Sequence, residues 1–171
     1  WANIDVSKPS GDVLMTSNVS FAGNGTLKGT ATATMLNNPG RLRTLGNLTF
    51  NYAGTVDDVE LTGNGTITLS QHLNVNDSLI LTSVNAMGNC SNGNIKVKGT
   101  VVTNDANGWG GGSCGSVATI VLTGATDQSV SGTGQLFLLD VSKTGGNVLM
   151  PDNLDLQNAG KLSGSGFFAN T

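Results

Sequence analysis

Three nearly adjacent carboxylates are the residues of this chain whose type and spacing are best suited to metal binding or catalysis. Asp57, Asp58 and Glu60 occupy one short stretch. Carboxylates bind Ca²⁺ or serve as the acid and the base of glycoside hydrolysis. No basic residue that could abstract a proton lies near them in the sequence. We therefore expect a solvated turn, with Asp57 and Asp58 as a candidate Ca²⁺ site and catalysis by the three carboxylates as a further alternative.

The other familiar catalytic patterns are not found in the sequence. His72 is the single histidine, so any Ser-His-Asp triad would depend on it. No Gly-x-Ser-x-Gly stretch lies between a predicted strand and a predicted helix, and no phosphate-binding Gly-x-x-x-x-Gly-Lys loop occurs. We predict that His72 is an exposed structural residue, that the protein is not an enzyme and that it needs no cofactor.

Two aromatic residues give a carbohydrate-binding alternative. Trp109 lies in a polar, glycine-rich stretch, where an exposed indole ring would suit stacking on a sugar. Tyr52 is the second candidate for such a contact. The other interpretation of Trp109 is that its ring packs against the side of the fold.

The two cysteines, Cys90 and Cys114, indicate an oxidising compartment. Neither has the second cysteine two or three residues away that a metal site would show. We predict a disulfide between them, which contributes about 3 kcal/mol in the chain-entropy description. Disulfides persist outside the cytosol, so the expected location is extracellular or at the cell surface. Two free thiols are the alternative.

Composition and charge narrow the classes of partner. Charged residues make up only 11% of the chain, and the net charge is −3. Nucleic-acid affinity rests on basic contacts to phosphates, and no cluster of Lys and Arg is present. No apolar run approaches the roughly 20 residues of a membrane-spanning helix. We therefore expect neither nucleic-acid binding nor membrane insertion.

Short alternating runs separated by turn residues predict the fold class. Thr66-Ile67-Thr68-Leu69 alternates apolar and polar side chains, as a half-buried strand does. No segment keeps a helical apolar period. Strands this short, joined by tight corners, suit an all-β parallel β-solenoid (β-helix) with turns of about 20 residues. The alternative is an antiparallel β-sandwich, whose strands are usually longer.

An internal repeat supports the solenoid and a single domain over residues 1–171. Residues 4–15 align without a gap on residues 139–150, and the match continues to Gly29 and Gly164. We define repeat modules at about 1–35 and 136–170. A chain that begins and ends on the same module resembles part of an array, or a unit able to stack head to tail.

One segment breaks this pattern and is predicted to be an inserted loop. It covers about residues 85–116 and contains Cys90, Cys114, Trp109 and three consecutive glycines. We expect the predicted disulfide to close it, and we place a short strand at residues 95–102 within it. Insertions on solenoids often carry the specific function.

Residues 121–166, and less closely 1–30, are similar to a known class of repeat. They resemble the β-strand repeats of very large bacterial surface and secreted proteins. This resemblance implies a parallel β-solenoid used as an adhesin, a stalk or a surface filament, and it implies no catalytic residue. The residues that carry it are Thr123-Gly124, Gln128, Val130, Gly132, Leu136-Phe137-Leu138-Leu139-Asp140-Val141-Ser142-Lys143, Gly145-Gly146-Asn147-Val148-Leu149-Met150 and Asn153-Leu154-Asp155-Leu156.

The function expected from the sequence is non-catalytic. We predict a structural or adhesive segment of a secreted or cell-surface bacterial protein that self-associates or stacks in tandem on like modules. Surface glycans are the other expected partner, bound by a module centred on Trp109. The remaining alternatives are a polysaccharide-active enzyme using the three carboxylates, and an ice-binding solenoid suggested by Thr30-Ala31-Thr32-Ala33-Thr34.

Overall fold

Every regular element of the described chain is a β-strand. A computed structural model describes residues 3–8, 10–30, 33–63, 65–82, 93–105, 118–164 and 167–169. All strand pairings among these residues are parallel, and successive turns stack as a β-solenoid. The predicted parallel β-solenoid is therefore confirmed. The antiparallel sandwich is wrong, because no antiparallel pairing joins the described strands.

The strands stack into three columns, which we call faces 1, 2 and 3. Face 1 contains β1 (Asn3–Asp5), β4 (Gly25–Gly29), β7 (Leu48–Tyr52) and β9 (Ile67–Leu69). Four longer strands cross a corner: β8 (Thr55–Leu61), β10 (Leu73–Leu81), β15 (Gln135–Val141) and β17 (Asp155–Gly164). Face 2 contains β2 (Val13–Met15), β5 (Thr34–Asn37), β11 (Ile95–Val97), β13 (Ile120–Leu122) and one end of each corner-crossing strand.

In the described chain, face 3 contains six separate strands and the second halves of β8 and β10. Its separate strands are β3 (Val19–Phe21), β6 (Leu42–Thr44), β12 (Thr100–Thr103), β14 (Gln128–Ser131), β16 (Asn147–Leu149) and β18 (Phe167–Ala169). On face 2, Val56, Val75 and Val97 are in register, so successive turns take 19 and 22 residues. These lengths agree with the predicted turn of about 20 residues.

The core is a set of apolar columns inside the coil. Val59, Leu79, Val101 and Val130 lie one above another on face 3, and all four are fully buried. Their neighbours in sequence point outwards, because alternate side chains of a strand project to opposite sides. Stacking of the turns thus buries one continuous core, which a single turn could not do.

The two copies of the internal repeat share their local backbone geometry, but the second copy lies one face further round the coil. Gly11 and Gly146 occupy equivalent positions and have φ of 75° and 67°; Gly29 and Gly164 have φ of 155° and 105°. Yet Ile4 and Asp5 of β1 lie on face 1, whereas their sequence counterparts Leu139 and Asp140 lie on face 2. The matched residues therefore recur one face further round the coil, and not at the same place in a turn.

The predicted inserted loop is partly wrong. Residues 95–103 form β11 and β12, which pair with β10 in the regular columns. Ile95, Val97 and Val101 are fully buried. This stretch is therefore part of the solenoid wall. The glycine-rich residues on either side of it led to its prediction as part of a loop. Cys90, Trp109 and Cys114 lie outside the described residues, so the disulfide stays a prediction.

Candidate functional site

Asp57 and Asp58 lie at the corner where β8 passes from face 2 to face 3. The backbone N–H of Asn37 and the side-chain amide of Asn76 donate to Asp57, each at 3.2 Å. The side chains of Asn37 and Ser78 donate to Asp58. Asn37 belongs to the preceding turn, and Asn76 and Ser78 to the following one. The two carboxylates therefore link three successive turns, and Asp58 is buried, unlike the solvated turn expected from the sequence.

A third carboxylate, Asp77, lies beside this pair. Partial burial, and then the negative charges of Asp58 and Asp57, raise the pKa of Asp77 above its ordinary value. Within the part of the chain that the structure describes, no three His, Cys, Asp or Glu side chains form a group that could hold a metal ion. The candidate Ca²⁺ site at Asp57 and Asp58 thus gains no further acidic ligand there.

Glu60, two residues further along β8, bonds two arginines instead. Arg43 Nη2 donates to Glu60 Oε1 at 2.9 Å, and Arg41 Nη1 lies 3.6 Å from Glu60 Oε2. The glutamate therefore bonds a different set of partners from Asp57 and Asp58. The three carboxylates that are neighbours in the sequence thus bond different partners, and the polysaccharide-active alternative stays a prediction.

An open groove of about 550 Å³ surrounds these two arginines. At this corner, neighbouring turns of the coil differ in how the chain passes from face 2 to face 3. The chain makes a short loop between β2 and β3 and another between β5 and β6, whereas β8 is one continuous strand across the corner. Residues of both loops, of β6 and of β8 line the groove. We call this the arginine groove; its lining residues are Ser17, Asn18, Pro39, Gly40, Arg41, Arg43 and Glu60.

Tyr52 does not contact solvent, which corrects its prediction as a ligand contact. Its ring is fully buried in edge-on contact with Phe50, at a centroid distance of 6.2 Å. Its hydroxyl donates to the backbone carbonyl of Ala33. Burial, and then the charge of Asp12, raise the pKa of Tyr52. Trp109 lies outside the described residues, so a carbohydrate contact there stays a prediction.

His72 is exposed, as predicted, and its ring joins two turns. Its Nδ1 accepts a hydrogen bond of 3.0 Å from the backbone N–H of Asn94. The threonines proposed for ice binding are not brought into a broad array. Thr34 is followed in register by Thr55 and then by Asn74, and Thr32 lies outside the described residues.

A partly buried polar link that the sequence did not suggest centres on Lys143. Its ammonium donates to the carbonyls of Gly124 (3.3 Å) and Thr126 (2.7 Å) and to Gln128 Oε1 (2.8 Å), all in the preceding turn. Gln128 is itself buried and donates to the carbonyl of Val97 one turn further back, at 3.0 Å. Burial lowers the pKa of Lys143, an effect that Asp127 opposes. We call this set the lysine link.

Comparison with known proteins adds no identity. No protein-family model matches the chain, and no curated protein or solved structure matches it. Among the described residues, no helix is long and apolar enough to cross a membrane. A functional conclusion must therefore rest on the residues and contacts of this chain itself.

Proposed function

We propose that the chain is a non-catalytic structural or adhesive segment of a secreted or cell-surface bacterial protein, and that it extends a stalk or fibre by stacking on like modules. One observation carries this proposal: the same module occurs twice in two different surroundings. Residues 139–150 rest on a preceding turn formed by β13 and β14. Their counterparts, residues 4–15, have no such turn beneath them among the described residues.

The apolar side chains of the first described turn support the proposal. Leu139 and Val148 are fully buried, whereas their counterparts Ile4 and Val13 are only partly buried. Together with Val19, these two residues line an apolar cavity of about 310 Å³ at the open end of the coil. Covering apolar surface contributes roughly 25 cal/mol per Å², so a further turn would stabilise this end.

The polar contacts support the same conclusion. Lys143 bonds the preceding turn through the lysine link, whereas its counterpart Lys8 donates to Asp12 O, at 2.5 Å, within its own corner. The side chain of Lys8 is exposed. A like turn placed beneath residues 4–15 would offer Lys8 the carbonyl acceptors that Lys143 uses.

The backbone of the first turn also has an open side. Among the described residues, β1, β2 and β3 each pair with one neighbouring strand only. Unpaired strand edges are templates for further strands, and solenoid ends need a covering turn or cap. The secreted location and the adhesive role rest on the resemblance of residues 121–166 and on the predicted disulfide.

Sedimentation of the purified chain over a range of concentrations tests the stacking. We expect association that increases with concentration, and rows of stacked copies by electron microscopy. Val13→Glu places a charge in the apolar cavity and should abolish association. Leu14→Glu is the matched control, because Leu14 is 58% exposed and points outwards from the same strand; it should leave association unchanged.

Two results would contradict the stacking proposal. One is a chain that stays monomeric at every concentration while its circular dichroism shows a folded β-protein. The other is equal association of the Val13→Glu and Leu14→Glu variants, which would place the contact away from the open end. Thermal unfolding of both variants confirms that they are folded before the comparison is made.

A further inference from the structure

We propose that the arginine groove binds an acidic sugar residue, whose carboxylate bonds the guanidinium groups of Arg41 and Arg43. This site goes beyond the stacking function, since it lies on the outside of the coil and does not need the open end. It also differs from the predicted contact at Trp109. The argument has three parts: the local charge, the bonding capacity of the arginines and the shape of the groove.

The groove is locally cationic in an acidic protein. Two guanidinium groups face one carboxylate there, Glu60, while the whole chain carries a net charge of −3. The side chains of Arg41 and Arg43 are 35% and 31% exposed. One further anion would therefore balance the charge of this cluster and can reach it from solvent.

Glu60 does not use all the donors of the arginines. A guanidinium has five N–H groups, and the Nε of Arg43 is buried without an acceptor among the described residues. Arg41 makes its contact with Glu60 at 3.6 Å, longer than the 2.9 Å of Arg43. Because the Nε of Arg43 is buried, a ligand carboxylate would bond the solvent-exposed parts of the two arginine side chains. A planar carboxylate accepts two parallel bonds from a guanidinium fork.

The shape and the remaining lining suit a sugar ring. A volume of about 550 Å³ lies within the range of small-ligand sites. The hydroxyl of Ser17 and the amide of Asn18 are of the type that bonds sugar hydroxyls, and Pro39 offers an apolar wall. Of the described residues that line the groove, none has an aromatic ring for base stacking. One balancing charge also fits one uronate better than the repeated phosphates of a nucleic acid.

Calorimetric titration tests this site with three probes. These are an oligogalacturonate, a neutral oligosaccharide of equal length and inorganic phosphate. We expect the oligogalacturonate to bind, with an affinity at least tenfold above those of the other two. Arg41→Gln/Arg43→Gln should lower that affinity at least tenfold. The matched control Lys28→Gln/Lys96→Gln removes the same charge from faces 1 and 2 and should change it by less than twofold.

Two more variants sharpen the result. Arg41→Lys/Arg43→Lys keeps the charge but loses the planar fork, so the affinity should still fall severalfold. Glu60→Gln removes the competing carboxylate, so the affinity should rise. The Val13→Glu variant should bind as the original chain does, which separates a failure of stacking from a failure of this site.

Three outcomes would overturn the proposal. No binding of oligogalacturonate by the folded chain is the first. Equal loss in the arginine and lysine double variants is the second, because it would indicate a general charge effect. Phosphate that binds as tightly as the oligosaccharide is the third, since the groove would then be a simple anion site.

Discussion

At the scale of single residues, the polar side chains of this protein mainly join one turn to the next. Asp57 accepts from Asn37 and Asn76, on either side of its own turn. His72 accepts from Asn94, and Lys143 reaches the carbonyl of Thr126. Residue types that carry out catalysis elsewhere are thus used here to satisfy hydrogen bonds at the corners of the coil.

Asp77 is an exception whose charge should work against folding. Its pKa is raised from 3.8 by partial burial and by Asp58 and Asp57. The folded state therefore favours the protonated form, so stability is lost as pH rises from the ordinary Asp pKa through the raised one. Asp77→Asn removes this loss. Because the side chain is exposed and screened, we expect a gain at pH 7 of at most about 0.5 kcal/mol.

Urea unfolding of the two proteins at two pH values checks this expectation. The gain should be present at neutral pH and should vanish well below pH 3.8, where Asp77 is uncharged in both folded and unfolded chains. Asp5 shows the opposite shift to Asp77, because hydrogen bonds from Ser7 and Lys28 lower the pKa of Asp5. An equal stability difference at both pH values would show that the effect is not electrostatic.

At the scale of strands and corners, local sequence patterns predicted which side chains of a strand are buried. They did not predict which strands and corners lie together once the turns are stacked. The alternation of Leu48, Phe50 and Tyr52 along β7 places all three inside, and this alternation already argued against Tyr52 as a surface contact. The arginine groove could not be found in this way. It is lined by residues of two corner loops, of β6 and of β8, which come together only when the turns are stacked.

The position of residues 95–103 shows the same limit. Ile95 and Val97 alternate as any strand does, but whether a strand belongs to a loop or to the wall depends on its partners one turn away. The rotation of the internal repeat by one face has a similar origin. It depends on the summed length of all the turns between the modules, which the sequence of either module does not contain.

Glycine at the stacked corners is required by the approach of neighbouring turns. Gly29 has positive φ, and a Cβ there would lie 2.1 Å from the carbonyl oxygen of Val6. Gly29→Ala should therefore cost roughly 1–3 kcal/mol, because both the backbone conformation and the contact become strained. Gly23→Ala is the matched control, since nothing lies within 4 Å of its Cβ position. Thermal unfolding should lower the midpoint for the first variant only; equal midpoints would contradict the described corner.

At the scale of the whole molecule, the solenoid is a one-dimensional stack in which each turn rests on its neighbours. Stability in such proteins is close to a sum of terms for each turn and each interface. The turn that contains β10 has strands on both sides, β8 before it and β11 and β12 after it. The turn that contains β2 and β3 has a described neighbour on one side only. The open end should therefore be the less stable part of the described coil.

Hydrogen exchange measured strand by strand tests both this gradient and the stacking. In dilute solution, amides of β2 and β3 should exchange at least about tenfold faster than those of β10, because the end turn opens locally. If copies stack on the open end, raising the protein concentration should slow exchange in β2 and β3 and leave β10 unchanged. The Val13→Glu variant should lose that concentration dependence, while Leu14→Glu should keep it. Uniform exchange along the coil would contradict the stability gradient. A gradient that does not change with protein concentration would contradict only the stacking.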